Sequence, residues 1–152
     1  MSTKVEQLLA NKGRKVWSVE PEAKVKEAIV LFGAHAIGAV LVCDEGTLIG
    51  VLSERDCVRQ ILWQGKATPE SHVMEVMRSD VTAVAPHDSI EHCMALMTDH
   101  RTRHLPVVDR GAVVGVISQG DVIHAMLGDR ESLIESLEGY ISGSPSVRPP
   151  AH

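Results

Sequence analysis

The chain has 152 residues, a formal net charge of -5 and a hydrophobic fraction of 44%. This length suits one ordinary domain, or two small units that share an interface, but not an enzyme together with a separate regulatory domain. The acidic balance argues against general nucleic-acid binding, which needs a surplus of Lys and Arg, and no apolar run approaches the roughly eighteen residues that span a bilayer.

The N-terminal residues and the cysteines bear on the cellular compartment. Residues 1–15, MSTKVEQLLANKGRK, lack the apolar core of a secretion signal. Cys43, Cys57 and Cys93 are widely spaced and form no CxxC motif, which favours buried, reduced thiols over redox or zinc chemistry. We therefore expect a cytoplasmic protein without membrane association.

The sequence repeats itself with a period of 65 residues. Residues 16–58 align with residues 81–123 without a gap, and twelve aligned positions are identical. The most distinctive matching segments are GVLSERD at 50–56 and GVISQGD at 115–121. A chance match of one motif would not extend this far, so we interpret the chain as an internal duplication.

Each copy predicts the same order of elements. A short strand, 16–19 or 81–84, ends at a proline, and a helix follows whose apolar residues are spaced three and four apart. Two apolar strands joined through DEG or DRG come next, and a second helix begins near Ser53 or Ser118. We therefore expect an α/β (α+β) fold of two tandem β-α-β-β-α repeats, packed sheet to sheet with pseudo-two-fold symmetry.

The duplication also sets the expected domain organisation. We assign residues 1–66 to the first repeat with an N-terminal helix, 67–80 to a connector containing a short helix, 81–128 to the second repeat, and 129–152 to a C-terminal extension, partly disordered. Some sixty residues in this pattern expose too much apolar surface to be stable alone. The two repeats should therefore form one structural module.

The repeated Ser-x-x-Asp has a structural and a functional interpretation. As a helix capping box, Ser118 would accept a hydrogen bond from the N–H of Asp121, and the carboxylate would reach back to the Ser N–H. As a ligand site, an ionised Asp accepts hydrogen bonds from two adjacent ribose hydroxyls, and a Ser beside free N–H groups binds a ribose or phosphate oxygen. Ser53 and Asp56 offer the same chemistry in the first copy.

Positive charge suited to a phosphate precedes the central strand of the second copy. Four such side chains occupy residues 100–104: His100, Arg101, Arg103 and His104. Arginine presents a planar fork of donors to phosphate, although Arg101 alone could equally complement a helix C-terminus. The first copy has Gly38 and Ala39 where the second has Arg103 and His104. Its cations would instead come from the segment NKGRK: Lys12, Arg14 and Lys15.

Together these features resemble a tandem pair of CBS domains, named after cystathionine beta-synthase, over about residues 5–127. The segments that carry the resemblance are RHLPVVD followed by GVIS and GD, and IGAVLVCD followed by GVLSERD. Such a pair, called a Bateman module, implies a non-catalytic regulatory protein whose cleft binds an adenosine ligand such as AMP, ADP, ATP, NAD, NADH or S-adenosylmethionine, without a metal. It also implies a homodimer. Because the pair stands alone, we expect it to regulate an unidentified protein in trans.

The resemblance further implies which residues contact the nucleotide. In the second copy, Ser118 and Asp121 would hold ribose and phosphate oxygens, and the base and phosphate would be met by Thr82, Arg103, His104, Leu105 and Pro106. In the first copy, Ser53 and Asp56 take the equivalent roles, beside a base framed by Val16, Trp17, Ala39 and Val40. Further candidate phosphate contacts are Arg14, Lys15 and Arg101. For Trp17, packing in a core or interface is the alternative to stacking on adenine.

Two other functions are open at this stage. A metal-dependent nucleotide phosphohydrolase would use a cluster of four residues, His100, His104, Asp121 and His124, although their spacing matches no recognised metal motif. A ligand-free interaction scaffold would use the basic clusters. The sequence contains no Walker A, GxGxxG or GxSxG motif.

For the homodimer, the candidate contact faces are the apolar sides of the helices at 25–32 and 91–97.

Overall fold

The computed structural model describes residues 3–141, without the side chains of residues 132, 133, 136 and 139–141. The first half contains α1 (Val5–Lys12), β1 (Ser18–Val19), α2 (Val25–His35), β2 (Ala39–Asp44), β3 (Thr47–Ser53) and α3 (Glu54–Val58), which continues as a π-helical turn, Arg59–Trp63. After a 3-10 turn at Val73–Glu75, the second half contains α4 (Ile90–Asp99), β4 (His104–Asp109), β5 (Ala112–Ser118) and α5 (Gln119–Ile141). The mixed α/β class and the repeated element order are confirmed. The expected disorder beyond residue 141 lies outside the described residues.

The two central hairpins are built alike. Strands β2 and β3 pair antiparallel from Ala39 opposite Ser53, and β4 and β5 pair from His104 opposite Ser118. Both tight turns have positive φ at two successive residues, 48° and 83° at residues 45–46 and 53° and 79° at residues 110–111. This left-handed pair matches the twist of the strands, and glycine at the second position relieves the strain. Each hairpin thus places its serine at the start of the following helix.

The first strands are shorter than predicted, and the two copies differ. Strand β1 pairs in parallel with β2 over two residues, whereas in the second copy only an isolated bridge joins Val84 to Val107. The N–H of Leu41 donates to the carbonyl of Trp17 at 3.0 Å. Its counterpart in the second copy is Pro106, which has no N–H. The ladder is therefore shorter there.

The N-terminal helix packs with the second repeat, although it precedes the first along the chain. Val5, Leu8 and Leu9 of α1 are buried in one cluster with Leu105 and Ile117. The core of the first repeat is completed instead by the connector, through Ala67, Val73 and Val76. The segment that precedes each repeat therefore packs against the other repeat: α1 packs against the second, and the connector packs against the first.

The repeated glycine of the GV-x-S motif allows this packing. A Cβ added to Gly115 would lie 2.7 Å from Cδ2 of Leu9, and one added to Gly50 would meet the sulfur of Met77 and, at 2.9 Å, the carbonyl oxygen of Arg78. Helix α1 and the connector therefore approach the middle of β5 and β3 more closely than any other residue type would allow.

The cysteines and helices also bear on the expected environment. Cys57 and Cys93 are buried and Cys43 is half-buried, all three as free thiols. Burial raises the pKa of both Cys57 and Cys93 to about 11, which keeps these thiols protonated and unreactive at neutral pH. Within residues 3–141, no helix is both long and apolar enough to cross a membrane.

Candidate functional site: two clefts built from both repeats

Ser53 and Asp56, at the start of α3, line a cleft of about 630 Å³. Its facing wall belongs to the second repeat and includes residues 101–104. We call it the arginine cleft, because within the described residues five arginines line it: Arg55, Arg59, Arg78, Arg101 and Arg103. The basic residues of the second copy therefore face the serine and aspartate of the first.

Ser118, at the start of α5, lines a second cleft of about 380 Å³. Its facing wall belongs to the first repeat, through residues 36–39 and Trp17. Lys12 and Lys15 complete the lining, and Asp121 adjoins this cleft through its ion pair with Lys12. We call this second site the lysine cleft.

The structure thus groups the candidate residues differently from the sequence analysis, which placed each Ser-x-x-Asp with residues of its own copy. Trp17 and Ala39 of the first copy lie with Ser118, whereas Arg103 of the second copy lies with Ser53. Each cleft therefore combines the helix start of one repeat with the segment before the central strand of the other. The sequence contained one signal for this exchange, since the first copy has no basic pair of its own.

Asp56 is buried and engaged by arginines. Its residue surface is only 5% exposed. Nε of Arg78 donates to Oδ2 at 3.2 Å, Nη1 of Arg59 lies 3.6 Å from Oδ1, and the N–H of Asp56 donates to Oγ of Ser53 at 3.0 Å. The carboxylate is thus turned toward cations rather than toward the N–H of Ser53. Arg78 lies in the connector and was not among the residues that the sequence singled out.

Asp121 makes the capping box that its counterpart lacks. The N–H of Ser118 donates to Oδ2 at 2.8 Å, and the N–H of Asp121 donates to Oγ of Ser118 at 3.1 Å. Nζ of Lys12 donates to the same carboxylate at 2.5 Å and to the carbonyl of Val116 at 2.7 Å. Partial burial alone would raise the pKa of Asp121, but the hydrogen bonds from Lys12 and Ser118 outweigh it and hold that pKa below its ordinary value.

His104 lies in the walls of both clefts. A Cβ added to Gly38 would lie 3.4 Å from Cε1 and Nε2 of the His104 ring, so the ring rests against the backbone of the first repeat. Burial lowers the pKa of His104, the charges of Lys12 and Arg103 lower it further, and Asp121 opposes them. The imidazole is therefore neutral at neutral pH and can accept or donate one hydrogen bond.

Aromatic and small apolar residues border the clefts. In the lysine cleft, Trp17 stacks on His35 with ring centroids 3.6 Å apart, and Nζ of Lys15 lies 4.6 Å from the centroid of the Trp17 ring. Beside the arginine cleft, Thr82 and Pro106 line a small cavity of about 30 Å³. Flat apolar surface near charged groups suits a purine base.

The remaining predicted residues lie at or behind these walls. Val40 and Leu105 are fully buried in the two cores, so only their backbone could face a ligand. Val16 is half-buried and Arg14 is exposed, and neither lines the arginine cleft or the lysine cleft. Lys15 and Arg101, by contrast, each line one cleft.

The four residues considered for a metal centre are divided between two cavities. His100 and His104 border the small cavity beside the arginine cleft, whereas Asp121 and His124 line a different cavity between α1 and α5. Among residues 3–141, no group of three or more His, Cys, Asp or Glu side chains is arranged to hold a metal ion. The four residues named for the phosphohydrolase therefore line no single cavity in the described part of the chain.

The fold and clefts define a module of two paired α/β repeats. The family model for the CBS domain matches residues 6–62 and 73–128, and the chain belongs to the CBS-domain family. A curated relative, the Arabidopsis thaliana CBS domain-containing protein CBSX3, mitochondrial, is 30% identical over 152 residues, covering 93% of this chain and 73% of its own. The solved structure of a protein with CBS domains from Burkholderia ambifaria MC40-6 is 39% identical and superposes with a TM-score of 0.78, covering 84% of this chain and 96% of its own.

Two further solved structures contain bound groups. The CBS domain pair of protein MJ0100, in complex with 5'-methylthioadenosine and S-adenosyl-L-methionine, is 21% identical with a TM-score of 0.74 over 85% of this chain and 99% of its own, which shows the shared fold. Hypoxic Response Protein I, with two coordinated zinc ions, is 25% identical with a TM-score of 0.67 over 80% of this chain and 98% of its own.

Proposed function

We propose that the protein is a non-catalytic regulatory module that binds adenosine nucleotides in its two clefts and acts on a partner protein in trans. The observation that carries this proposal is the crossed construction of the clefts, each of which is lined by both repeats. A ligand in either cleft contacts both repeats at once. It therefore stabilises whichever relative arrangement of the repeats gives the better set of contacts.

We assign the ribose diol to Asp56 and Asp121. A carboxylate has two oxygens, which accept from two adjacent hydroxyls, and the Ser hydroxyls at the same helix starts supply further donors. Each carboxylate already holds a cation, Arg78 on Asp56 and Lys12 on Asp121. A diol must share the carboxylate with that cation or replace it.

The replacement of a bound cation by the ribose diol gives the module a route for transmitting a signal. Arg78 belongs to the connector, and Lys12 is the last residue of α1. Both segments pack against the last strand of a repeat, the connector at Gly50 of β3 and α1 at Gly115 of β5. A nucleotide that alters the two ion pairs changes how the connector and α1 are held, and its effect on the equilibrium equals its difference in affinity between the two arrangements.

The base and phosphates have separate surroundings in each cleft. In the arginine cleft, Arg101 and Arg103 offer donors to phosphate, and Thr82 with Pro106 borders the base. In the lysine cleft, Lys15 meets phosphate, and Trp17 with Ala39 borders the base. The adenosine ligands bound by MJ0100 support this class of ligand. The candidate ligands are AMP, ADP, ATP, NAD and NADH. Each cleft has room for one nucleotide unit of such a ligand.

We further propose that the protein is a cytoplasmic homodimer. The apolar face of α4 is used inside the second repeat, where Cys93 and Met97 are buried. Exposed apolar side chains occur on α2, at the end of α3 and the π-helical turn that follows it, and on α5: Ile29, Val30, Val58, Leu62, Trp63, Ile123, Leu127, Ile134 and Leu137. Exposed apolar side chains mark interaction sites, so we assign the dimer contact to these helices. On α2 the contact would use Ile29 and Val30, because Ala28 and Phe32 are buried in the first repeat.

Calorimetric titration tests the proposed function. The purified protein is titrated with AMP, ADP, ATP, NAD, NADH and S-adenosylmethionine, with GMP and GTP as base controls, in buffer with and without a chelator. We expect micromolar, adenosine-selective binding that the chelator leaves unchanged. Turnover of the nucleotide that is lost with the chelator would favour the phosphohydrolase. No binding of any nucleotide would reduce both Ser-x-x-Asp motifs to helix caps and favour a scaffold.

A further inference from the structure

The two clefts differ in how much of their positive charge is compensated. In the arginine cleft, the described carboxylates are those of Glu54 and Asp56. Asp56 is engaged by Arg78 and Arg59. In the described part of the chain, three other arginines of this cleft have no ion-pair partner: Arg55, Arg101 and Arg103. These three guanidinium groups are available to an anionic ligand.

The lysine cleft has fewer cations, and they are already engaged. Lys12 is held by the Asp121 carboxylate and the Val116 carbonyl, and Nζ of Lys15 lies over the Trp17 ring. An ammonium group is a compact charge, whereas a guanidinium group binds two phosphate oxygens through a planar fork. The lysine cleft is also the smaller, at about 380 Å³ against about 630 Å³.

The uncompensated arginines come from both walls of the arginine cleft. Arg55 is on α3 of the first repeat, and Arg101 and Arg103 precede β4 of the second. Arg101 has a left-handed backbone, with φ of 51°, and its carbonyl accepts from Nη1 of Arg78 at 3.5 Å. The turn that presents Arg101 is thus tied to the connector. A chain of linked phosphates carries more negative charge and more terminal oxygens than a single phosphate, and so can contact guanidinium groups on both walls at once.

We propose, building on the proposed function, that the arginine cleft selects ligands with two or more linked phosphates, such as a nucleoside di- or triphosphate. The lysine cleft takes a nucleoside ligand with one phosphate or none. The two sites therefore bind different ligands. One copy of the duplicated Ser-x-x-Asp motif belongs to a site that selects by the number of phosphates, and the other belongs to a site that recognises the nucleoside.

The experiment compares the wild type with two double variants that each remove two positive charges. Arg101→Gln/Arg103→Gln removes two exposed guanidinium groups that have no side-chain partner in the described structure, and Arg110→Gln/Arg130→Gln, which removes two exposed arginines that line neither cleft, is the matched control. Adenosine, AMP, ADP, ATP and inorganic tripolyphosphate are titrated by calorimetry in magnesium-free buffer of fixed ionic strength. Thermal melting of each variant confirms that it is folded.

We expect the wild type to bind ATP at least on the order of tenfold more tightly than AMP, a difference of about 1.4 kcal/mol. The arginine double variant should lose that difference and its binding of tripolyphosphate, while the tightest affinity for adenosine changes less than about threefold. Arg110→Gln/Arg130→Gln should keep the difference. Equal affinity of the wild type for AMP and ATP, or an ATP preference that survives the arginine double variant, would overturn the inference.

The inorganic probe separates this inference from the proposed function. If tripolyphosphate binds the wild type but not the arginine double variant, while no adenosine ligand binds, the arginine cleft is an anion site and the adenosine assignment is wrong. If adenosine ligands bind without any dependence on phosphate number, the proposed function stands and the selectivity does not. If neither tripolyphosphate nor any adenosine ligand binds, both the proposed function and the selectivity are wrong.

Discussion

Nε of Arg78 donates a hydrogen bond to Oδ2 of Asp56 at 3.2 Å, across the junction between the connector and the helix start of the first repeat. Asp56 is almost fully buried, and a buried carboxylate depends on its cationic partners because it has lost its hydration. Arg78 also pairs through its backbone with Val51, N–H to carbonyl in both directions at 2.9 and 3.0 Å. The ion pair therefore fixes the connector to the edge of β3.

Removal of this pair should destabilise the protein through the charge left behind. We expect Arg78→Met to lower the free energy of unfolding by about 1 to 3 kcal/mol, since Asp56 would keep only the more distant Arg59. Asp56→Asn should cost a similar amount, and the double variant should cost clearly less than the two single variants together. Urea denaturation of all four proteins measures the coupling. Strict additivity would show that the pair contributes nothing to stability.

The ribose assignment in the second repeat depends on the charge of Asp121. Asp121→Asn keeps the shape of the side chain but removes the negative charge that accepts from the ribose diol. We expect the affinity for AMP in the lysine cleft to fall by about 1.5 to 3 kcal/mol, with a stability loss of about 1 kcal/mol from the weakened cap. Asp109→Asn, an exposed change at the end of β4, is the control. An unchanged affinity in Asp121→Asn means that this carboxylate does not bind the ribose.

The sequence predicted those features that each copy encodes by itself. The hairpins follow from apolar runs joined at glycine turns, and the helix starts follow from Ser53 and Ser118, which cap their own helices. The pairing between copies was not predictable in this way. Arg78 aligns with Gly13 at the repeat period, so the duplication gave no signal for its role. In the other copy the cation that pairs with the aspartate is Lys12, the residue before Gly13, which binds Asp121 as Arg78 binds Asp56.

The exchange of residues between the clefts was missed for a related reason. Residues 36–39 and 101–104 occupy equivalent positions along the two copies, and nothing in either copy states which helix start they will face. Only the packing of one repeat against the other decides it. The short first strand of the second copy was predictable in principle, because Pro106 stands where Leu41 donates its N–H.

His104 gives the stability a dependence on pH. Its pKa is lowered in the folded protein below the ordinary value of about 6.5, so the unfolded chain binds more protons than the folded chain as pH falls through that value. We expect stability to be full above pH 7 and to decline as pH falls below about 6.5. His104→Gln should show a shallower decline over the same range, measured as midpoints of urea denaturation. His92→Gln, at an exposed position of α4, is the control variant. Parallel curves for wild type and His104→Gln would contradict the assignment.

The two motif glycines should differ in their tolerance of a methyl group. At Gly115 an added Cβ meets the end of the Leu9 side chain, whereas at Gly50 it meets the Arg78 carbonyl as well as Met77. The end of a side chain can rotate away, but the Arg78 carbonyl can move only together with the backbone of the connector. We expect Gly50→Ala to destabilise by about 1 to 3 kcal/mol and Gly115→Ala by less. Equal losses in urea denaturation would show that the connector yields as easily as Leu9.

The proposed homodimer depends on the exposed apolar side chains of α2 and of the turn after α3. Val30 is 67% exposed and Trp63 is 84% exposed, so charging either position should leave the monomer fold intact while placing an unpaired charge in the contact. We expect sedimentation of the wild type at tens of micromolar to show a dimer, and Val30→Glu to show a monomer with an unchanged melting profile at low concentration. Ala95→Glu, at an exposed position of α4, is the matched control and should remain dimeric. A wild type that sediments as a monomer would remove the dimer, and dissociation by Ala95→Glu alone would move the contact to α4.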